Sequence, residues 1–265
     1  MKVSVQGVET HIATGGKEFD TSLPTVVFLH GSGLDHRSWA LQTRWFAFHG
    51  FSVLAPVFPG HSLSAGEPLA CIEDSAPWLD ELLTVCGVEA AHIVGHSQGF
   101  LSALELTKQF PARALSLTGI GTAGAIPVNA TLLETAQKSA AKAAEFMLQW
   151  GFGSNMHLGV SPTPGMQPIA IGHQIMSANP LAADLNACAN YSGGEEAAKA
   201  VKVPSKMILA GQDKMTPMKA GKALASVLGA EVTVLREYGH MLPMEAPKQV
   251  LNELRDFILS VENGQ

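Results

Sequence analysis

The chain is poor in the features that mark secreted, membrane-spanning, nucleic-acid-binding and metal-dependent proteins. Only three of its 265 residues are cysteine. Cys71, Cys86 and Cys188 have an odd count and no metal-ligand spacing, so neither a disulfide framework nor a metal site is expected. All three read as small buried apolar residues. No run of about 18 apolar residues occurs, which argues against a transmembrane helix. The opening Met1-Lys2-Val3-Ser4-Val5-Gln6-Gly7 alternates polar and apolar residues and lacks the apolar core of a secretory signal. A cytoplasmic enzyme is therefore expected. Basic runs are missing as well, and the net charge is −6. Nucleic acid and anionic membrane are accordingly not expected partners. The histidines are scattered, with no H-E-x-x-H and no accompanying carboxylate cluster, and no P-loop is present. No metal and no cofactor is expected.

What the chain does have is apolar content, 46% by composition, in a length that suits one large α/β domain or a domain with an insertion. Residues 2–6 and 9–13 read as a hairpin. Short apolar strands then alternate with helical patterns: strand 25–29, helix 38–49, strand 52–55, helix 73–86, strand 90–94, helix 98–110, strand 115–120. Alternation of this kind predicts a mainly parallel sheet with helices on both faces. From about 122 to 196 no strand pattern occurs. Thr131 and Glu134 have capping-box spacing, and Leu132, Leu133, Ala136, Ala140, Ala144, Met147 and Trp150 follow at helical intervals. A stretch bearing Gly159, Pro162, Pro164, Gly165 and Pro168 comes next, followed by short helical pieces that end near Gly193-Gly194. Strand 206–210, helix 217–228, strand 231–235 and a last amphipathic helix with Pro247 in its first turn restore the alternation.

Gly95-His96-Ser97-Gln98-Gly99 is the most informative stretch. Chance supplies about 0.2 such Gly-x-Ser-x-Gly matches in this length, so context must decide. Here the pentapeptide follows an apolar strand and precedes a helical pattern, the setting in which it forms a nucleophile elbow. The glycines allow strand and helix to approach closely while the serine hydroxyl stands clear. A serine needs a base to take its proton, and that base must be held in one tautomer. His240 follows a predicted strand in Glu237-Tyr238-Gly239-His240-Met241, and Asp213 follows another in Ala210-Gly211-Gln212-Asp213. A helix cap or turn is the competing use of Asp213, and a backbone-bonded loop histidine that of His240. The order Ser97, Asp213, His240 is the Ser…Asp…His order of α/β-hydrolases.

Phe28-Leu29-His30-Gly31-Ser32-Gly33, Gly95 to Gly99, Ala210 to Asp213 and Gly239-His240 together resemble the α/β-hydrolase fold family, specifically its capped serine esterases and lipases, over nearly the whole chain. The resemblance implies an eight-stranded, mostly parallel sheet with helices on both faces. It divides the chain into a core of residues 1–121 and 197–265 and a helical cap of 122–196. It also implies an oxyanion hole from the backbone amides of Ser32 and Gln98, with the Ser32 hydroxyl incidental. His30, His61 and His96 read as structural hydrogen-bonders, Trp39 and Trp45 as core. Val57, Ser62 and Phe100 depart from the residues many relatives carry. Serine at 97 argues against the aspartate-dependent dehalogenases and epoxide hydrolases, and Met241 after the histidine argues against a hydroxynitrile lyase.

Phe146, Met147, Trp150, Met156, Met166, Met176, Met215 and Met241 are candidates to line an apolar pocket, with core packing as the alternative for the helical ones. Phe146, Met147, Trp150, Met215 and Met241 are the substrate-binding candidates, with no charged anchor for phosphate or coenzyme A. The expected activity is hydrolysis of small to medium apolar carboxylic esters through an acyl-enzyme. The partner is a small-molecule ester and the protein a monomer or homodimer. Cofactor-free haloperoxidase or perhydrolase chemistry would use the same triad, and a small-ligand receptor on the same scaffold is the reading outside enzymology.

Overall fold

Thr25-Val26-Val27-Phe28-Leu29 is buried at every position, as a strand covered on both faces must be. It is β3 of an eight-stranded sheet in a computed structural model that describes residues 1–162 and 167–264. The remaining strands are β1 (Lys2–Val5), β2 (Val8–Ala13), β4 (Ser52–Pro56), β5 (Ala91–His96), β6 (Ala114–Ile120), β7 (Ser205–Ala210) and β8 (Glu231–Leu235). Their spatial order is β1-β2-β4-β3-β5-β6-β7-β8. The β1–β2 and β2–β4 pairings are antiparallel and all others parallel. The α/β-hydrolase architecture expected from the sequence is thus present.

Parallel neighbours need crossovers, and helices supply them. The helices are α1 (Ala40–Ala47), α2 (Ser75–Val85), α3 (Gln98–Gln109), α4 (Ala130–Lys138), α5 (Ala140–Gly151), α6 (Ser154–His157), α7 (Pro168–Ser177), α8 (Leu181–Asn190), α9 (Gly194–Ala200), α10 (Met218–Leu228), α11 (Leu242–Glu245) and α12 (Pro247–Gly264). One apolar cluster joins the sheet to α2, α3, α9 and α10, through Leu79, Leu82, Leu101, Leu104, Ala197 and Leu224. A second joins the opposite face to α1, α11 and α12, through Phe46, Leu242, Val250, Leu254 and Ile258. A third lies among α4, α5, α7 and α8 and reaches Leu34 of the loop after β3, Met241 of the loop after β8 and Met244 of α11. The segment between β6 and β7 is therefore fixed to the loops at one end of the sheet.

Several local expectations need correction. Thr131 does not cap α4: the Asn129 side chain does, accepting from the Leu132 amide at 2.8 Å. The helical pattern from 132 to 150 is two helices, because Ser139 is extended (φ −161°) and caps α5 by accepting from Lys142 N. Trp39 is fully buried, but it sits in a 3₁₀ turn before α1, and Trp45 is only partly buried and stacks on His49. Cys71 is partly exposed, whereas Cys86 and Cys188 are buried. Pro164, Gly165 and Met166 lie outside the described residues. Gly119-Ile120-Gly121-Thr122-Ala123-Gly124 has dinucleotide-fingerprint spacing and begins in the last two residues of β6, yet α4 begins only at Ala130 and the glycines serve packing. Gly119 faces the ring of Phe100 and so makes room for that bulky residue. Gly124 meets Gly194 so closely that a Cβ on Gly194 would overlap the Gly124 carbonyl. The chain leaving β6 thus meets the chain entering α9.

α3 approaches β5 and β3 closely. A Cβ on Gly95 would stand 2.5 Å from Phe100 N and Cα, and one on Gly99 would overlap the carbonyls of Leu29 and His30. Neither obstacle is a side chain that can rotate away. Gly99→Ala is therefore expected to destabilise the fold by about 3 kcal/mol. Urea unfolding checks this, and a wild-type midpoint would mean that α3 can retreat without cost.

Candidate active site

Ser97 sits between β5 and α3 at φ 53° and ψ −122°, a left-handed conformation that a residue with a Cβ adopts only under constraint. Its amide donates to Ile120 O at 3.0 Å, and its carbonyl accepts from Phe100 N at 3.0 Å and from Thr122 Oγ1 at 3.1 Å. The backbone of the elbow is therefore held on both sides while the side chain is left at the surface of a cleft.

Asp213 and His240 come from the loops after β7 and β8, which lie beyond β6 on one side of β5. Asp213 Oδ1 accepts from Met215 N at 2.8 Å and Thr216 N at 2.7 Å. Its Oδ2 accepts from Thr216 Oγ1 at 2.8 Å and from His240 Nδ1 at 2.9 Å. Burial alone would raise this carboxyl. The charge and hydrogen bond of His240, joined by the Thr216 amide and hydroxyl, outweigh it and hold the pKa below the ordinary value. The turn and the histidine contact are thus uses of the same carboxylate. Because the Thr216 hydroxyl spends its proton on Asp213, His240 Nδ1 carries its own proton toward Asp213, and Nε2 is left as the basic nitrogen. Among the described residues no hydrogen bond joins Nε2 to the Ser97 hydroxyl.

His96 ties the histidine to the elbow: its Nε2 donates to the His240 carbonyl at 2.9 Å, and the two rings are 5.0 Å apart. Burial, with the charge of His240 second, pushes the His96 pKa down to about 3. His30 Nδ1 donates to Gly31 O at 3.0 Å while Nε2 accepts from Phe58 N at 3.2 Å. Burial, then the charge of His61, pushes it down to about 4. Both rings are neutral spacers. His92 and His96 stand four apart, but on β5 they serve different partners, since His92 bonds Ser116 and Glu262. Among the described residues no three His, Cys, Asp or Glu side chains are grouped as a metal site requires.

The Ser32 and Gln98 amides make no hydrogen bond among the described residues. Gln98 is the first residue of α3, where backbone N–H groups lack helical partners and the helix dipole favours negative charge. The Ser32 hydroxyl donates to Gln98 Oε1 at 2.7 Å, linking the two residues directly. A cavity of about 90 Å³ opens beside them, lined by Ser32, Ser97, Met147, Trp150, Leu185, Cys188, Lys214 and Met215 among others. Of the pocket candidates, Met147, Trp150 and Met215 face this space. Phe146 instead stacks on Trp150 at 6.1 Å, and Met241 is buried in the third apolar cluster with Met156 and Met176. Lys214 is a charged lining residue that the sequence reading omits.

The sequence reading also misses three polar supports. Thr216 is one. Glu245 is another: its carboxylate accepts from Gly153 N at 2.8 Å and from Gly239 N at 2.9 Å, joining the end of α5 to the residue before His240. Asp184 of α8 is the third, accepting from Gly33 N at 2.6 Å. The available signal was an acid within an apolar or small-residue run, Leu242-Pro243-Met244-Glu245-Ala246 and Leu181-Ala182-Ala183-Asp184-Leu185.

A family model described as alpha/beta hydrolase family matches residues 26–254. A dihydrolipoyllysine-residue acetyltransferase component of the acetoin cleaving system from Cupriavidus necator is 34% identical over 45% of this chain. The match spans 31% of that protein, so only about a third of its length is represented. Carboxylesterase YbfK of Bacillus subtilis is 23% identical over 97% of this chain and 86% of its own. Among solved structures, the enol-lactonase from Burkholderia xenovorans LB400 superposes with a TM-score of 0.86 at 21% identity, covering 98% of this chain and all of that one (100%). No helix of the described residues is long and apolar enough to cross a membrane.

Glu245 supplies a pH test of this geometry. Burial, only partly offset by the two backbone hydrogen bonds, raises its pKa from 4.5 to about 7. Between those values the unfolded chain has released the proton and the folded chain keeps it, so the group's contribution to stability falls as pH rises through the window. Glu245→Gln is expected to flatten the slope of Tm against pH there. An unchanged slope would mean that the carboxylate is accommodated charged.

Proposed function

The chain belongs to the alpha/beta hydrolase family, and from that premise we propose that it is a serine hydrolase of small carboxylic esters. The observation that carries the reading is the hydrogen-bonded line from Asp213 Oδ2 to His240 Nδ1 at 2.9 Å, set beside a serine in a strained elbow. In this mechanism Ser97 Oγ attacks the ester carbonyl and His240 Nε2 takes its proton. Asp213 fixes the tautomer and stabilises the imidazolium that forms. The oxyanion meets the Ser32 and Gln98 amides, each worth about 2.7–4 kcal/mol toward the transition state. His240 then returns the proton to the leaving alcohol, and water, activated by the same nitrogen, cleaves the acyl-enzyme.

Substrate size follows from the cavity. Its volume of about 90 Å³ is small against the roughly 300–1,000 Å³ of pockets that enclose drug-sized ligands, which favours a short acyl group over a long one. We read the helices between β6 and β7 as the cap that sets this limit, since α5 contributes Met147 and Trp150 and α8 contributes Leu185 and Cys188 to the lining. The carboxylesterase activity named for the Bacillus subtilis relative and the lactonase named for the Burkholderia structure agree with acyl transfer at such a site.

The test is turnover of p-nitrophenyl esters from acetate to dodecanoate. Wild type is expected to prefer the shortest esters, and Ser97→Ala to lose about 10³-fold or more in kcat. Undiminished turnover in Ser97→Ala would remove the serine mechanism, and a preference for dodecanoate would remove the size argument.

A further inference from the structure

Three buried polar contacts outside the proposed triad converge on the loop that carries the Ser32 amide. Asp184 Oδ2 accepts from Gly33 N at 2.6 Å and from His61 Nε2 at 2.9 Å. Asn179 Nδ2 donates to the carbonyls of Gly33 at 2.9 Å and Leu34 at 3.0 Å, while its Oδ1 accepts from Ser62 N at 2.8 Å. His61 Nδ1 faces the Pro59 carbonyl at 3.0 Å. Asp184 lies on α8 and Asn179 just before it, whereas Gly33 and His61 belong to the loops after β3 and β4. All four are nearly or wholly enclosed: Asp184 is 4% exposed, Asn179 4% and His61 1%.

From this geometry we infer that Asp184, paired with a protonated His61, is a positioning residue for the oxyanion hole. The inference rests on the serine-hydrolase reading for its catalytic consequence, but the physical coupling stands apart from it. Gly33 follows Ser32 directly, so an anchor on the Gly33 amide fixes the Ser32–Gly33 peptide and, through Ser32 Cα, limits the movement of the adjoining Gly31–Ser32 peptide that presents the Ser32 N–H. Displacing an oxyanion donor by even part of an ångström weakens it in the transition state more than in the ground state, because the charge develops only there. The helical segment is then more than a roof: it supplies the anchor.

His61 makes the anchor pH-dependent. Both of its ring nitrogens face acceptors, Pro59 O and the Asp184 carboxylate, a setting satisfied only by the imidazolium. Burial opposes the charge, but the Asp184 carboxylate and its hydrogen bond, with the Pro59 carbonyl, outweigh it and raise the pKa above 6.5. The other titratable groups around the ring are His30 at 5.1 Å between centroids, Asp35, itself paired with Arg37, and Cys71 across a small void. Protonation is therefore complete at low pH, and the anchor weakens as pH rises through the raised value. One of the two N–H donors is lost there.

The experiment compares wild type, Asp184→Ala, Asp184→Asn and His61→Gln with Ser97→Ala as the control for the mechanism. Each is assayed with p-nitrophenyl acetate over the pH range, and each is followed by hydrogen exchange of the peptide containing residues 31–34. Asp184→Ala is expected to lose roughly ten- to a hundredfold in kcat with KM within about twofold, and to exchange the Gly33 amide faster. Asp184→Asn, whose amide oxygen can still accept from Gly33, recovers part of both. His61→Gln flattens the alkaline decline of kcat. Wild-type kcat and wild-type exchange in folded Asp184→Ala overturn the inference, as does equal loss in Asn and Ala variants. If Asp184→Ala does not fold, Asp184→Asn and His61→Gln carry the same comparison. Failure of the serine reading shows separately, as activity that survives Ser97→Ala, and the exchange data still decide whether the anchor exists.

Discussion

Everything at the candidate site depends on how closely α3 approaches the centre of the sheet. Glycine at 95 and 99 lets the helix start against the carbonyls of Leu29 and His30, and this forces Ser97 into a positive-φ turn. The strain is sustained by Ile120, Phe100 and Thr122, which grip both backbone groups of the serine. Two consequences follow from the same approach. The hydroxyl is held off the backbone, and the start of α3 lies beside the loop after β3, where the Ser32 hydroxyl donates to the Gln98 side chain. The parallel order of β3, β5, β6, β7 and β8 then brings Ser32, Ser97, Asp213 and His240 to one end of the sheet without any long-range motion of the chain.

Around this centre the protein spends buried charge and buried hydrogen bonds in an orderly way. Neutral rings, His30 and His96, fill the space between strands and relay backbone contacts. Carboxylates do the anchoring: Asp213 on His240 and Thr216, Glu245 on Gly153 and Gly239, Asp184 on Gly33 and His61. Each takes at least one backbone amide as donor, which offsets part of the desolvation a buried carboxylate suffers, least completely for Glu245. Two of the three anchors cross between the strand loops and the helices that follow β6. The shape of the cleft is thereby coupled to both parts of the chain.

Much of this was legible in the sequence, for definite reasons. The strands were visible because buried parallel strands read as unbroken apolar runs, and Ser97 because this elbow leaves no room for a side chain two positions before or after it. Asp213 and His240 stood out because they follow strands at loop positions. Asp184, Asn179 and Glu245 were hidden, since their partners lie 92 or more residues away, except for Gly239. The α4–α5 break was hidden for a different reason. Thr131 and Glu134 imitate a capping box three residues long, and Ser139 interrupts a run of good helix formers with only one weak signal. The pocket was the least legible part: Met147, Met215 and Met241 have the same composition, but only the fold decides which of them faces the cavity.

The meeting of Gly124 and Gly194 has a bearing on how such a protein can change over evolutionary time. A segment whose two ends meet backbone to backbone can change in length while the sheet keeps its register. Loop closure at that doorway costs little more for a long excursion than for a short one. The constraint on any replacement is narrow and specific. It must deliver an acceptor to the Gly33 amide, a donor to the Gly33 and Leu34 carbonyls, a backbone donor to Glu245 and an apolar face for Leu34, Met241 and Met244, and elsewhere it can offer new walls.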